Sequence, residues 1–256
     1  MTMSQQSDRL NLIDVIRGIT ILSMIGFHTC WDLYYFNLGV TEEFITGTGA
    51  YIWQQSICWS FILISGFSFV LGHKHLKHGL LALGGGIIIT IVTCLLLYDE
   101  RDIFGVLYLH GISILLMILI DQVIPKDKAV YVIGLLISAG IFFLTKNVYR
   151  GFLGFEGINI CALPEKLYRG YFMTFLGFKD PEFYSSDYFP LLPWFFLFAM
   201  GYFLAKLFLD RLKTHKVMYA DIRPLSFIGR HSLIIYMLHQ VVIYGVVFLI
   251  ARMFNA

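Results

Sequence analysis

LIDVIRGITILSMIGFHTCWDLYYF, residues 12–36, decides the fold. At about 1.5 Å of rise per residue it is long enough to cross the ~30 Å hydrocarbon core of a bilayer as one helix. Inside that apolar run stand Arg17, His28 and Asp32. Eleven residues at about 100° each bring Arg17 and His28 back to nearly the same face, roughly 16 Å apart along the axis. Asp32 extends the stripe, four residues beyond His28. That is the i,i+4 distance at which a carboxylate can hydrogen-bond an imidazole and fix its tautomer. Ionisable residues inside a membrane span are costly and usually mark a function.

Composition agrees with that reading of the first run. Apolar residues make up 58% of the chain and charged residues 14%, with a mean hydropathy of +0.73. A soluble domain carries about a quarter charged residues. The expected class is all-α, a polytopic transmembrane helix bundle, with residues 1–11 as a polar tail and 12–256 as a single transmembrane domain. The opening MTMSQQSDRLNL is polar, and the run after it is too long for a signal peptide and lacks a small-residue cleavage site. A signal anchor is expected. The net charge of +2 says little, because in membrane proteins the placement of Lys and Arg carries the information.

Apolar runs of about 20 residues predict seven spans, near 12–36, 50–72, 79–98, 104–124, 129–145, 190–208 and 226–252. The basic connections between them are HKHLKH (73–78), PKDK (125–128) and KLFLDRLKTHK (206–216), whereas Glu42 and Glu43 mark the first acidic loop. The positive-inside bias puts the amino terminus and the basic loops in the cytoplasm, and seven spans then put Phe254-Asn255-Ala256 outside. Residues 146–189 are apolar in patches but broken by charges and Pro164. One or two short or re-entrant elements there fit such a pattern; one extra span would invert everything after it.

Several chemistries drop out. Cys30, Cys58, Cys94 and Cys161 are scattered without a CxxC pair, so neither a disulfide framework nor a metal site is implied. Gly84-Gly85-Gly86 lies inside an apolar helix, without the strand and Lys-Ser/Thr of a phosphate loop, and reads as close helix packing. No HExxH, paired-carboxylate glycosidase arrangement or EF-hand pattern occurs, so no metal is expected. Nothing supports nucleic-acid binding.

A resemblance covers nearly the whole chain. The first span resembles the opening of bacterial membrane proteins grouped with heparan-alpha-glucosaminide N-acetyltransferase, within a superfamily of transmembrane acyltransferases. The Arg-x10-His spacing is similar to the signature of the related membrane O-acetylases. WSFILISGFSF around Ser65 and Gly66, GVLYLHGISILLM around His110, SDYFPLLPW from Ser186 to Trp194, and IGRHSLIIYMLHQ from Ile228 to Gln240 follow in order. One departure stands out. The lysosomal members carry asparagine where this chain has His28 and place the acting histidine near Gly39, so the role of His28 follows the O-acetylase-like pattern.

The resemblance implies transfer of an acyl group, usually acetyl, from cytoplasmic acyl-CoA to an amine or hydroxyl of a sugar or glycan at the outer face of a bacterial inner membrane. Acetyl-CoA is then the donor substrate, the partners are the lipid bilayer and the glycan acceptor, and a homodimer is left open. His28, backed by Asp32, suits the general base that takes the acceptor's proton. Arg17 could bind a CoA phosphate through its planar donor fork, or could be an interfacial anchor. Arg230 and His231, at the expected cytoplasmic start of the last span, are further phosphate contacts, and the HKHLKH loop either helps them or only sets topology.

Asp187 either caps a helix beginning near Pro190 or orients the acceptor. Tyr188 and Trp194 form either a wall for a sugar ring or part of an interfacial aromatic belt. Ser232, Tyr236, His239 and Gln240 make a polar stripe that either bonds neighbouring helices or lines the substrate tunnel. His110 is a core histidine or a second acid/base group. The competing class is a proton-coupled carrier using the intramembrane His and Asp, although no inverted repeat is evident.

Overall fold

The computed structural model describes residues 9–96 and 98–254. Most of the expected polar tail, Leu97 of the third predicted span, and Asn255 and Ala256 lie outside the described residues. In chain order the helices and strands are α1 (Asn11–Tyr35), α2 (Glu42–Thr46), α3 (Thr48–Leu71), α4 (His75–Leu96), α5 (Val106–Val123), α6 (Lys128–Thr145), β1 (Phe152–Phe155), β2 (Ile158–Ala162), α7 (Tyr171–Leu176), α8 (Leu191–Leu212), α9 (Arg223–Arg230) and α10 (Ser232–Phe254). Among the described residues seven helices, α1, α3, α4, α5, α6, α8 and α10, are long and apolar enough to cross a membrane. Leu95, Leu96, Val123 and Met253 are 75–80% exposed, as suits side chains bathed in lipid tails. The chain is a multi-pass membrane protein and an all-α helix bundle.

Backbone chemistry sets the element ends. Asp127 caps α6 by accepting hydrogen bonds from the N–H groups of Ala129 at 2.8 Å and Val130 at 3.3 Å, which satisfies donors that a helix start leaves unpaired. Two predicted boundaries need correction. The run 226–252 is not one helix: Pro224 opens the separate helix α9, which ends where His231 leaves helical geometry, and the span begins at Ser232. Pro190 precedes α8 instead of lying in its first turn. Leu192 is extended, so regular helix starts only after it.

The chain divides into two units, Met1–Phe61 with Asp210–Ala256, and Ile62–Leu209. In the first, Ile21, Met24, Phe27, Ala50 and Ile57 form a buried core, with Trp53, Phe61, Ile228, Ile235 and Tyr236 packed on it. Trp53 Nε1 donates to Ser23 Oγ at 2.8 Å. Contacts between α1 and α10 advance in step: His28 meets His239, Asp32 meets Gln240, and Phe36 meets Tyr244 and Phe248. The first and last spans therefore run parallel. Parallel first and last spans require an odd number of crossings in all, so residues 146–189 hold no single hidden span.

In the second unit α4 packs tightly on α5. A Cβ on Gly86 would strike the backbone of Tyr108, and one on Gly111 the backbone of Leu83, so of the glycine run Gly86 serves close packing, whereas a Cβ on Gly84 would meet nothing within 4 Å. Phe198, Tyr202 and Ala205 of α8 and Phe142 of α6 are fully or almost fully buried. Residues 146–189 fold into a β1–β2 hairpin with an irregularity between Leu153 and Gly154, the six-residue α7 and irregular loops. The Asn147 amide, 1% exposed, ties the hairpin by donating to Glu156 O at 2.8 Å and Asn159 Oδ1 at 3.0 Å.

Candidate active site

At one end of α1 the charge of Arg17 is met from within the same helix. Asp14, 4% exposed, accepts from Arg17 Nη1 at 3.1 Å and from Arg9 Nε at 2.6 Å. Hydrogen bonding to that carboxylate raises the pKa of the Arg9 guanidinium further above its ordinary value. Arg17 Nη1 also reaches Gly229 O of α9 at 3.4 Å. This contact depends on two glycines, because a Cβ on Gly18 would strike the carbonyl of Leu225 and one on Gly229 the carbonyl of Asp14. Arg17 thus reaches the residue that precedes the exposed Arg230 and His231 in the chain; His231 Nδ1 lies 2.8 Å from Phe227 O. Asp14 was missed in the sequence, although its i,i+3 spacing to Arg17 was the available signal.

Farther along, α1 and α10 face each other with two polar side chains each, His28 and Asp32 on α1 and His239 and Gln240 on α10. Asp32, 3% exposed, accepts from Gln240 Nε2, 3.1 Å from Oδ1 and 3.4 Å from Oδ2. His28 is contacted edge-on by the rings of Phe27 at 6.1 Å and His239 at 4.9 Å between centroids. The carboxylate that spacing sets behind His28 is thus held by Gln240, and His28 has His239 as its polar neighbour. His239 is 8% exposed and its Nδ1 lies 2.5 Å from Tyr236 O. A carbonyl only accepts, so Nδ1 carries a proton. His239 Nε2 and Gln240 Oε1 are buried with no hydrogen-bond partner. Of the predicted site residues, this unit brings together His28, Asp32, His239 and Gln240, with Arg17, Arg230 and His231 grouped at its other end.

The remaining candidates, Asp187, Tyr188, Trp194 and His110, belong to the second unit. Asp187 Oδ2 accepts from the N–H of Val106 at 3.1 Å, so it caps α5 and not the helix that follows it in sequence. Asp102 lies near the same helix start with Oδ1 buried and unpartnered; burial first, and the Asp187 carboxylate second, push its pKa up. Tyr188 donates to Thr174 O at 2.6 Å, and burial raises its phenol's pKa. Trp194, 7% exposed, packs on Phe189 and Phe142 under Lys146 Nζ, 4.9 Å from its ring centroid. It is a core tryptophan. His110 lies with both ring nitrogens 2.9 Å from Ser65 Oγ, an interhelical pair between α5 and α3. The Asp102–Asp187 and Ser65–His110 pairings join residues far apart in sequence and no local pattern could have found them.

The family model described as heparan-alpha-glucosaminide N-acetyltransferase, catalytic, matches residues 9–241, a range that holds every one of these side chains. No curated protein and no solved structure matches the chain.

Proposed function

We propose that this chain, which belongs to the heparan-alpha-glucosaminide N-acetyltransferase catalytic family, is a membrane acetyltransferase that takes acetyl from acetyl-CoA and passes it to an amine or hydroxyl of a sugar acceptor. The observation that carries the reading is the family match over residues 9–241, whose first span holds a buried polar cluster at His28. The acceptor loses its proton to a ring nitrogen of His28 as its nitrogen or oxygen attacks the thioester carbonyl. The C–S bond breaks, and the departing CoA sulfur takes the proton back from His28. Direct transfer within one complex asks less of the protein than an acyl-histidine intermediate.

Arg17, Arg230 and His231 bind the CoA phosphates in this reading. They cluster at one end of their unit, and Arg17 stands roughly 16 Å along α1 from His28 at 1.5 Å per residue, a separation suited to an extended pantetheine arm. Basic loops 73–78, 125–128 and 206–216 favour that end as the cytoplasmic one. The acceptor then approaches His28 from the outer face.

Thermal unfolding of the detergent-purified protein tests donor binding. Acetyl-CoA at about a hundredfold over its Kd adds about 2.7 kcal/mol to stability. A shift with acetyl-CoA and none with ATP supports the reading; no shift at saturating acetyl-CoA contradicts it.

A further inference from the structure

His239 Nε2 is an anomaly of the kind folded proteins rarely tolerate. Buried polar atoms are almost always hydrogen-bonded, and leaving one unpaired is costly. The side chain is 8% exposed, its Nδ1 proton is committed to Tyr236 O, and Nε2 therefore carries a lone pair that meets no donor. On the facing helix the His28 ring lies 4.9 Å away between centroids, inclined at 65°. With a ring nitrogen about 1.1 Å from each centroid, two nitrogens aimed at each other across that separation lie within hydrogen-bond distance. Asp32, which accepts from Gln240, the residue next to His239 on α10, is a carboxylate and has no proton to donate to that lone pair.

We propose that His239 is a positioning residue for the reaction: its Nε2 accepts the N–H of His28, fixing one tautomer so that the other ring nitrogen of His28 presents its lone pair to the acceptor. The inference rests on the reading of His28 as general base. When His28 takes the acceptor's proton it holds two N–H groups, and the one facing α10 stays on His239 Nε2 while the other returns its proton to the CoA sulfur. No proton need pass to His239, whose Nδ1 already holds one. His239 does for His28 what a carboxylate does in a catalytic triad, namely orientation and support of the charged ring, but with a neutral acceptor that suits a span interior. The groups facing the pair are Phe27 and Asp32 of α1 and Tyr236 and Gln240 of α10.

The test is nitrogen-15 NMR of the detergent-solubilised full chain labelled at histidine, with His28 assigned through His28→Gln. The wild type is expected to show His28 as a single tautomer with a scalar coupling across an N–H···N bond to His239. His239→Phe should scatter His28 between tautomers, and His239→Gln, which keeps an acceptor, should restore one. Turnover should fall about a hundredfold in His239→Phe, within the range general-base assistance supplies, with KM for acetyl-CoA unchanged, and recover in part in His239→Gln. A wild-type spectrum with mixed His28 tautomers and no coupling overturns the proposal, and needs no variant to fold. If the coupling is present but the wild type transfers no acetyl group, the pairing stands and the functional reading fails.

Discussion

Gln240 Nε2 donates to Asp32 Oδ1 across 3.1 Å, joining two residues 208 positions apart on the first and last spans. The bond shares the register of α10 against α1 with the contacts of His28 with His239 and of Phe36 with Tyr244 and Phe248. Gln240→Ala removes a donor from a buried carboxylate and should lower stability by about 1–3 kcal/mol. A double-mutant cycle of Gln240→Ala with Asp32→Ala, read by thermal unfolding in detergent, should give a coupling of about 0.5–3 kcal/mol. Strict additivity would mean that the bond contributes nothing.

The α1–α9 approach depends on the absence of a side chain at Gly18. Gly18→Val must push the carbonyl of Leu225 away, and overpacking of this kind costs about 1–3 kcal/mol. The expected readout is a lowered Tm. Gly84→Ala, at a position where a Cβ meets nothing within 4 Å, should leave Tm unchanged.

Asp102 gives the protein a pH-dependent stability outside its spans. Its folded pKa is raised, by burial and by Asp187, so the native state binds the proton more tightly than the unfolded chain. The stability associated with it is fully present below the unfolded value near 3.9 and is lost as pH rises from there through the folded pKa. Asp102→Asn stays neutral throughout and should remove that slope. Tm measured against pH for both proteins checks it; parallel curves would contradict the assignment.

The cluster at the other end of α1 bears on the donor. Arg17→Ala should raise KM for acetyl-CoA and also lower Tm, because it loses the contacts to Asp14 and Gly229. The exposed Arg230 makes the cleaner test. Arg230→Ala should raise KM by roughly tenfold, the equivalent of about 1.4 kcal/mol, with Tm and kcat little changed. An unchanged KM in both variants would remove the phosphate role.

Hydrophobic run length alone placed six of the seven spans to within four residues at either end, because an apolar helix that must satisfy its backbone internally has few alternatives. The errors fell where local chemistry competes with hydropathy. His231, where α9 ends, divides what reads as one span, and the extended Leu192 delays α8. The stripe of Arg17, His28 and Asp32 was legible from helical spacing, as was the stripe of His239 and Gln240. Their pairing was not, since spacing along one helix favours His28 with Asp32, and only the register between α1 and α10 assigns Asp32 to Gln240 and His28 to His239. Asp187 reads as a cap for its own helix, yet it caps α5, because caps supplied from distant loops leave no mark on local sequence.

The most direct measurement is transfer of radiolabelled acetyl from acetyl-CoA to an amino-sugar acceptor by purified wild type and by His28→Ala, each shown folded by thermal unfolding. Transfer by the wild type and its loss by at least a hundredfold in the folded variant, as for removal of a general base, is the expected result. Equal transfer by the two proteins would contradict the role of His28.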